Sequence, residues 1–193
     1  MARGTTKELE IKDVQRTQTF WRVDLKAIVG GVFLGLVMVL LVGLGDRADT
    51  ALTGGAFPIF GGVSWAAMMG ISTLLLGQPG GIIAGLIQGF MDIATGASPL
   101  APIFPIVNAA GSLAYFLVAR KMVMNRWSHH FIAQVVANLV GDALVAVGLY
   151  FILNLPVDVI LVSSGVTAVV SIIGGTILTR IVADAAARSG VLD

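Results

Sequence analysis

Residues 25–44 read LKAIVGGVFLGLVMVLLVGL, an apolar stretch in which Lys26 is the single charged residue. A helix rises about 1.5 Å per residue and needs about 20 residues to cross the hydrocarbon core of a bilayer. The stretch therefore predicts a transmembrane helix. The preceding residues, 1–24, are polar, and no small-residue cleavage pattern follows the stretch, so we interpret it as a retained first helix and not as a signal peptide.

Five more apolar stretches follow, at roughly 57–76, 80–95, 102–120, 129–152 and 158–180. The chain is 56% hydrophobic and 12% charged, with a mean hydropathy of +0.93, which is too apolar for an ordinary soluble domain. No internal repeat is visible. The sequence predicts an all-α membrane protein, with six transmembrane helices in one compact bundle and a single domain over 1–193.

The basic residues predict the orientation of this bundle. If the N-terminus is cytoplasmic, eleven of the twelve Lys and Arg residues lie on the cytoplasmic side, and Arg47 alone lies outside. We therefore expect a multi-pass protein of the cell membrane with both termini, including the segment 1–24, in the cytoplasm. The basic residues form no exposed stripe, so membrane lipid is an expected partner and nucleic acid is not.

The third stretch, 80–95, is short for a span and is bracketed by GQPG at 77–80 and GASP at 96–99. A shortened helix with breaker residues is a common place for a binding site in membrane proteins. Residues 43–62 hold six glycines and Pro58. We expect this segment to be a mobile outer loop that closes over the site.

Polar residues inside the spans are the candidates for function, because each unsatisfied polar group is costly in lipid. The third helix carries Gln88 and Asp92, the fourth Asn108, and the fifth Asn138 and Asp142. Since successive helices run in opposite directions, Asp92, Asn108 and Asp142 reach similar depths in the outer half. Two carboxyls and an amide at one level predict a site for a small polar or cationic molecule that arrives from outside.

Interhelical hydrogen bonding is the competing interpretation of Asn138, and equally of Gln134 and Ser112. It suits Asp92 and Asp142 less well, because a carboxyl at lipid depth is a poor choice for joining helices.

Aromatic residues near the outer side offer the other half of a pocket. Phe60 and Trp65 in the second stretch, and Tyr150 at the end of the fifth, are placed to stack on a flat or cationic ring. An interfacial aromatic belt is an alternative explanation for Tyr150.

Small residues also form a stripe on the first helix, with Ala27, Gly31 and Gly35 at four-residue spacing. Such a stripe lets another helix approach closely. The partner helix belongs either to a separate subunit or to the same bundle.

Enzyme chemistry finds no support in the sequence. A Walker A loop, a G-x-S-x-G elbow and an H-E-x-x-H motif are all missing, and the chain has no cysteine. We expect neither a metal site nor a cofactor, and the chain by itself has no means of hydrolysing ATP.

Four segments carry a family resemblance: MDIATGASP at 91–99, PIVNAAG at 105–111, Gly141-Asp142, and the tail 182–192. Together they resemble the small substrate-binding S components of energy-coupling-factor (ECF) vitamin transporters, within them the YkoE-like group associated with thiamine and hydroxymethylpyrimidine. The resemblance implies six helices and a pocket near the outer face that contains Asp92, Asn108 and Asp142. It also implies that the stripe of Ala27, Gly31 and Gly35 docks on a transmembrane T subunit, which ATP-hydrolysing subunits drive.

The resulting hypothesis is a membrane-embedded binding subunit that takes thiamine or an aminopyrimidine precursor from outside. The competing hypotheses are a stand-alone proton- or cation-coupled carrier, in which Asp92 and Asp142 relay the ion, and a structural subunit whose polar residues only pack.

Overall fold

The computed structural model describes residues 21, 23–54 and 57–189. Within them the chain forms six α-helices and no strand, and one isolated bridge pairs Trp21 with Gln78. A short 3-10 turn, Ala101–Ile103, precedes the fourth helix. The helices are α1 Leu25–Thr53, α2 Ile59–Leu76, α3 Gly80–Thr95, α4 Phe104–Ala119, α5 Trp127–Phe151 and α6 Val157–Ser189.

Five of these elements are long and apolar enough to cross a membrane: α1, α2, α4 with its preceding turn, α5 and α6. The remaining helix, α3, has 16 residues and is shorter than each of these five elements. Many large apolar side chains on the outer faces of the helices are exposed, among them Phe33, Leu40 and Leu161. Such faces are stable against lipid, so this is a multi-pass helical membrane protein.

The helices form one bundle in which α2 contacts each of the other five. Around α2, helix α1 packs against α3, α3 against α4, α4 against α5, and α5 against α6. Under the predicted topology, the connections at 54–58, 96–103 and 152–156 lie at the outer end of the bundle, and we use that name for this end. The predicted segment 1–24 lies outside the described residues except at 21, 23 and 24.

The ends of α1 and α3 follow from local chemistry. Asp24 caps the start of α1, where its Oδ1 accepts from the Ala27 amide at 2.7 Å. Both helices end at a glycine in the left-handed region, Gly54 with φ 65° and Gly96 with φ 63°. Because glycine has no Cβ, it adopts this conformation without strain, and the predicted end of α3 before GASP is confirmed.

The predicted outer loop over 43–62 is wrong. Helix α1 continues to Thr53 and α2 begins at Ile59, so the connection covers only 54–58, of which 55 and 56 lie outside the described residues. The glycines at 43 and 45 did not end α1, because the buried face that begins at Ala27 extends through Gly45 and Asp49. Packing of that face outweighs the low helix propensity of glycine.

The small-residue stripe of α1 packs inside this bundle, which contradicts its predicted docking on a separate subunit. Ala27, Gly31 and Gly35 are all buried. A Cβ added to Gly31 would lie 2.8 Å from the Gly80 carbonyl oxygen, and one added to Gly35 would lie 2.7 Å from the Cβ of Ile87. The stripe therefore serves the close approach of α3.

Candidate binding site

A chain of hydrogen bonds joins α2, α4 and α3 in the outer half of the bundle. The Trp65 indole Nε1 donates to Asn108 Oδ1 at 2.6 Å. Asn108 Nδ2 donates to Gln88 Oε1 at 2.5 Å and to the Gly85 carbonyl at 2.9 Å. Gln88 Nε2 then donates to Asp92 Oδ2, one turn further along α3. The structure thus links four predicted site residues: Trp65, Asn108, Gln88 and Asp92.

Two groups in this chain can play only one role in a hydrogen bond, and they determine which atom of each bond is the donor. An indole N–H only donates and a backbone carbonyl only accepts, so Trp65 and the carbonyl of Gly85 together orient the Asn108 amide. Asn108 in turn donates to the oxygen of the Gln88 amide and orients it, so that the Gln88 N–H₂ group points toward Asp92. The bonded Asp92 oxygen is therefore an acceptor, a role that a carboxylate oxygen or the carbonyl oxygen of a carboxylic acid can fill.

Burial decreases along the chain. Asn108 and Gln88 are almost completely buried, while Asp92 is partly exposed near the end of α3. The two buried amides leave no costly unpaired group, because each donates and accepts within the chain. Asp92, the last member of the chain, is partly exposed at the outer end of the bundle.

Asp49 on α1 caps the neighbouring helix. Its Oδ1 accepts from the Phe60 amide and its Oδ2 from the Gly61 amide, both at 2.9 Å. These amides belong to the first turn of α2, where helix N–H groups have no intrahelical partner and a negative charge is stabilised. Asp49 thereby fixes the outer end of α1 against the start of α2.

Asp46 lies one turn before Asp49 and adds a second carboxyl beside the chain. Its Oδ1 faces Gly61 so closely that a Cβ on that glycine would collide with it. The carboxyl groups of Asp92 and Asp49 lie near that of Asp46, so negative charges on these groups would repel one another. Arg47, the sole basic residue between Lys26 and Arg120, is exposed to solvent, so the negative charge at this end is poorly balanced.

Sequence reasoning missed these two carboxylates as site residues because it placed them in a loop. The buried positions of α1 follow one another at intervals of three or four residues up to Gly45 and Asp49. Extending this pattern past residue 44 is the signal that identifies Asp46 and Asp49 as residues of a helix.

The indole ring of Trp65 packs between α4 and α5, against one glycine on each helix. A Cβ on Gly111 would lie 2.9 Å from Trp65 Cη2, and one on Gly141 would lie 2.8 Å from the same atom. Both distances are too short for a real Cβ contact, so only glycine leaves room for the ring. The ring edge is thus held by the bundle, and its stacking on a ligand stays a prediction.

Asn138 takes part in helix packing. Its Nδ2 donates to the Gln134 backbone oxygen at 2.8 Å and to Gln134 Oε1 at 3.2 Å. Gln134 in turn donates to the Ala66 carbonyl on α2 and to Thr179 Oγ1 on α6. For this pair, the contacts are those of interhelical hydrogen bonding.

Ser112 has a similar packing environment. Its Oγ lies 3.1 Å from Thr73 Oγ1 and accepts from Gln78 Nε2 at 2.8 Å, and all three residues are buried. These bonds join α4 to α2 and to the residues just before α3.

Asp142 is not joined to the chain. Its carboxyl makes no hydrogen bond to any described residue, and its Oδ2 is a buried atom. The preceding residue, Gly141, faces Trp65, and a side chain one residue later on a helix points about 100° away. The structure therefore brings Asp92 and Asn108 together through Gln88 but gives Asp142 different surroundings.

Phe60 and Tyr150 have largely exposed side chains, at 48% and 50%. The Tyr150 ring packs edge to face on Phe151, with centroids 4.9 Å apart. Neither side chain has a ring contact with Trp65 among the described residues. Exposed aromatics at helix ends are typical of the membrane interface.

Among the described residues, no group of three or more His, Cys, Asp or Glu side chains is arranged to hold a metal ion. No protein-family model, curated protein or solved structure matches this chain. Its function must therefore be argued from the geometry of the bundle itself.

Proposed function

We propose that this protein is the membrane-embedded substrate-binding subunit of an ATP-driven vitamin uptake transporter of the ECF type. The proposed ligand is thiamine or an aminopyrimidine precursor such as hydroxymethylpyrimidine. The observation that carries the proposal is the chain of donors from Trp65 through Asn108 and Gln88, which ends on the partly exposed carboxyl group of Asp92.

The charge of the site supports a ligand that is cationic or rich in hydrogen-bond donors. Both oxygens of Asp49 are used by backbone amides, but Asp46 and Asp92 keep free acceptor positions. An anionic ligand would be repelled by these carboxylates. Thiamine carries a positive thiazolium ring, and its aminopyrimidine presents an amine donor, so both parts suit such a site.

The proposed topology has six membrane spans and both termini in the cytoplasm. Five spans are the long elements, and α3 is the additional short one. A helix can end at membrane depth if the unpaired backbone groups of its last turn face protein or a water-filled site and not lipid. Release of the ligand inside would be driven by a T subunit and ATP-hydrolysing subunits. Because the stripe of α1 is used within the bundle, these partners would contact another surface.

Calorimetric titration of the purified protein with thiamine and with hydroxymethylpyrimidine tests the proposal. In Asp92→Asn the side chain keeps its size and an acceptor for Gln88, but it loses the negative charge. A lost charge-assisted hydrogen bond is worth about 2 kcal/mol, so affinity should fall roughly 30-fold. Asp158→Asn is the matched control, since Asp158 is exposed in the first turn of α6. Equal affinity of wild type and Asp92→Asn for every ligand that binds would refute the site.

A second candidate function is a stand-alone proton- or cation-coupled carrier. The observation that favours it is the unpaired carboxyl of Asp142, since an intramembrane carboxyl without a partner is typical of ion pathways. Reconstitution of the single polypeptide in liposomes separates the two candidates. Uptake driven by an ion gradient, without ATP or partner subunits, supports the carrier and excludes a strict receptor role.

A further inference from the structure

Helices α2, α5 and α6 meet at one residue, Gln134 of α5. Its Nε2 donates to the Ala66 carbonyl on α2 at 2.8 Å and to Thr179 Oγ1 on α6 at 3.1 Å. Gly175 on α6 also approaches here, because a Cβ on it would lie 2.7 Å from the Cβ of Ala66. Gln134 therefore sets the register of the three helices.

Outward from this point, three buried oxygen atoms have no hydrogen-bond partner in the described chain: Asp142 Oδ2 on α5, and Thr167 Oγ1 and Ser171 Oγ on α6. Ser171 is 2% exposed and Thr167 9% exposed. Buried polar atoms are nearly always paired, and leaving one unpaired is costly. The three atoms lie on two helices that pack against each other.

The register places Asp142 and Ser171 at similar depth, with Thr167 about one helical turn further outward. Helices α5 and α6 are antiparallel, since a short connection at 152–156 joins them. Eight residues outward from Gln134 is Asp142, and eight residues outward from Thr179 is Ser171. At about 1.5 Å per residue, both lie about 12 Å beyond the Gln134–Thr179 bond.

Gly62 of α2 shows where the side chains of Ser171 and Thr167 on α6 lie. It lies one turn outward from Trp65 and Ala66 and faces between them. The Trp65 ring contacts Gly141 of α5, whereas the Ala66 Cβ faces Gly175 of α6 and the Ala66 backbone carbonyl accepts from Gln134 of α5. A Cβ on Gly62 would collide with Ser171 Oγ and would lie 3.1 Å from Thr167 Cγ2. The Ser171 hydroxyl thus occupies the space that a side chain at Gly62 would take, beside the junction of α2 with α5 and α6.

From this arrangement we infer that Asp142, Thr167 and Ser171 form a site for a monovalent metal cation of the Na⁺ type. Carboxylate and hydroxyl oxygens are hard ligands that suit such ions. One carboxylate balances one positive charge, and the sequence has no Lys or Arg between Arg126 and Arg180 to supply it. The site is separate from the chain that ends at Asp92, and it is compatible with a receptor or a carrier.

Trp65 provides a reporter for this site, because its ring touches Gly141, the neighbour of Asp142. The full chain carries two other tryptophans, which Trp21→Phe and Trp127→Phe remove. This single-tryptophan protein, in lipid nanodiscs at fixed pH, is titrated with NaCl while choline chloride holds the ionic strength constant. We expect a saturable change in Trp65 emission and a higher Tm in Na⁺.

The ligand variants define the site. Ser171→Ala and Thr167→Val should each weaken the apparent Na⁺ affinity at least about 10-fold, and Asp142→Asn should abolish the response. Thr176→Val is the matched control on α6, since the Thr176 hydroxyl donates to the Ile172 carbonyl of its own helix. It should keep the wild-type response.

Each contrary outcome overturns the inference. A wild-type protein without a saturable Na⁺ response, or with an equal response to choline, has no such site. A response that persists unchanged in Ser171→Ala, a small substitution that removes only the hydroxyl, places the ion elsewhere. Circular dichroism and monodisperse elution of each variant check folding, and Ser171→Ala keeps the test decisive if Asp142→Asn does not fold.

Discussion

The cap that Asp49 provides to α2 makes a quantitative prediction about stability. In Asp49→Asn the side chain keeps its shape, but one of its two acceptor oxygens becomes an N–H₂ group that faces a backbone N–H. One charge-assisted bond is lost, the other becomes a neutral bond, and the negative charge at the N-terminus of α2 disappears. Asp49 is only 3% exposed, so water cannot easily replace the lost bond.

The expected loss is about 2–3 kcal/mol, which corresponds to a decrease in Tm of roughly 5–10 °C for a chain of this length. Thermal unfolding in detergent, followed by circular dichroism, measures it. Asp158→Asn, which neutralises an exposed carboxyl in the first turn of α6, should leave Tm nearly unchanged. If Asp49→Asn unfolds at the wild-type temperature, the two bonds from α2 do not hold α1 in place.

Three further substitutions test the packing that positions the site. Gly141→Ala puts a Cβ 2.8 Å from Trp65, so it should lower the free energy of unfolding by about 1–3 kcal/mol and shift the indole emission. An unchanged emission spectrum and Tm would contradict this packing of the ring. Gly31→Leu should destabilise the isolated chain by separating α1 from α3, whereas Leu36→Ala on the exposed face of α1 should not; equal Tm values for both would argue that the stripe is free. Gln134→Leu leaves the Ala66 carbonyl without its side-chain donor and should cost about 1–3 kcal/mol in thermal unfolding, so a neutral result would argue against this junction.

The sequence predicted the helices well because hydrophobic length and breaker residues act locally. The predicted stretch 80–95 coincides with α3, and GASP after it ends the helix as expected. The extension of α1 to Thr53 was missed because glycine-rich composition was weighted above the periodic burial that includes Gly45 and Asp49. Tertiary packing overrides propensity at such positions.

The candidate site was only partly predictable. Helical spacing correctly placed Gln88 and Asp92 on one face of α3, and depth placed Asn108 near them. Depth gave no information on rotation about the helix axis, and for that reason Asp142 was grouped with residues to which it is not bonded. The bond from Trp65 to Asn108 depends on glycines of two other helices, a relation that a single sequence does not reveal.

The most direct test of the account is a double-mutant cycle on ligand affinity with Trp65→Phe, Asp92→Asn and the combined variant. Trp65→Phe keeps an aromatic ring but removes the N–H that orients Asn108, and through it Gln88 and Asp92. If the four residues act as one chain, the combined variant should bind thiamine or hydroxymethylpyrimidine about as weakly as Asp92→Asn alone. Fully additive losses, or wild-type affinity in Asp92→Asn, would contradict the claim that this chain forms the binding site.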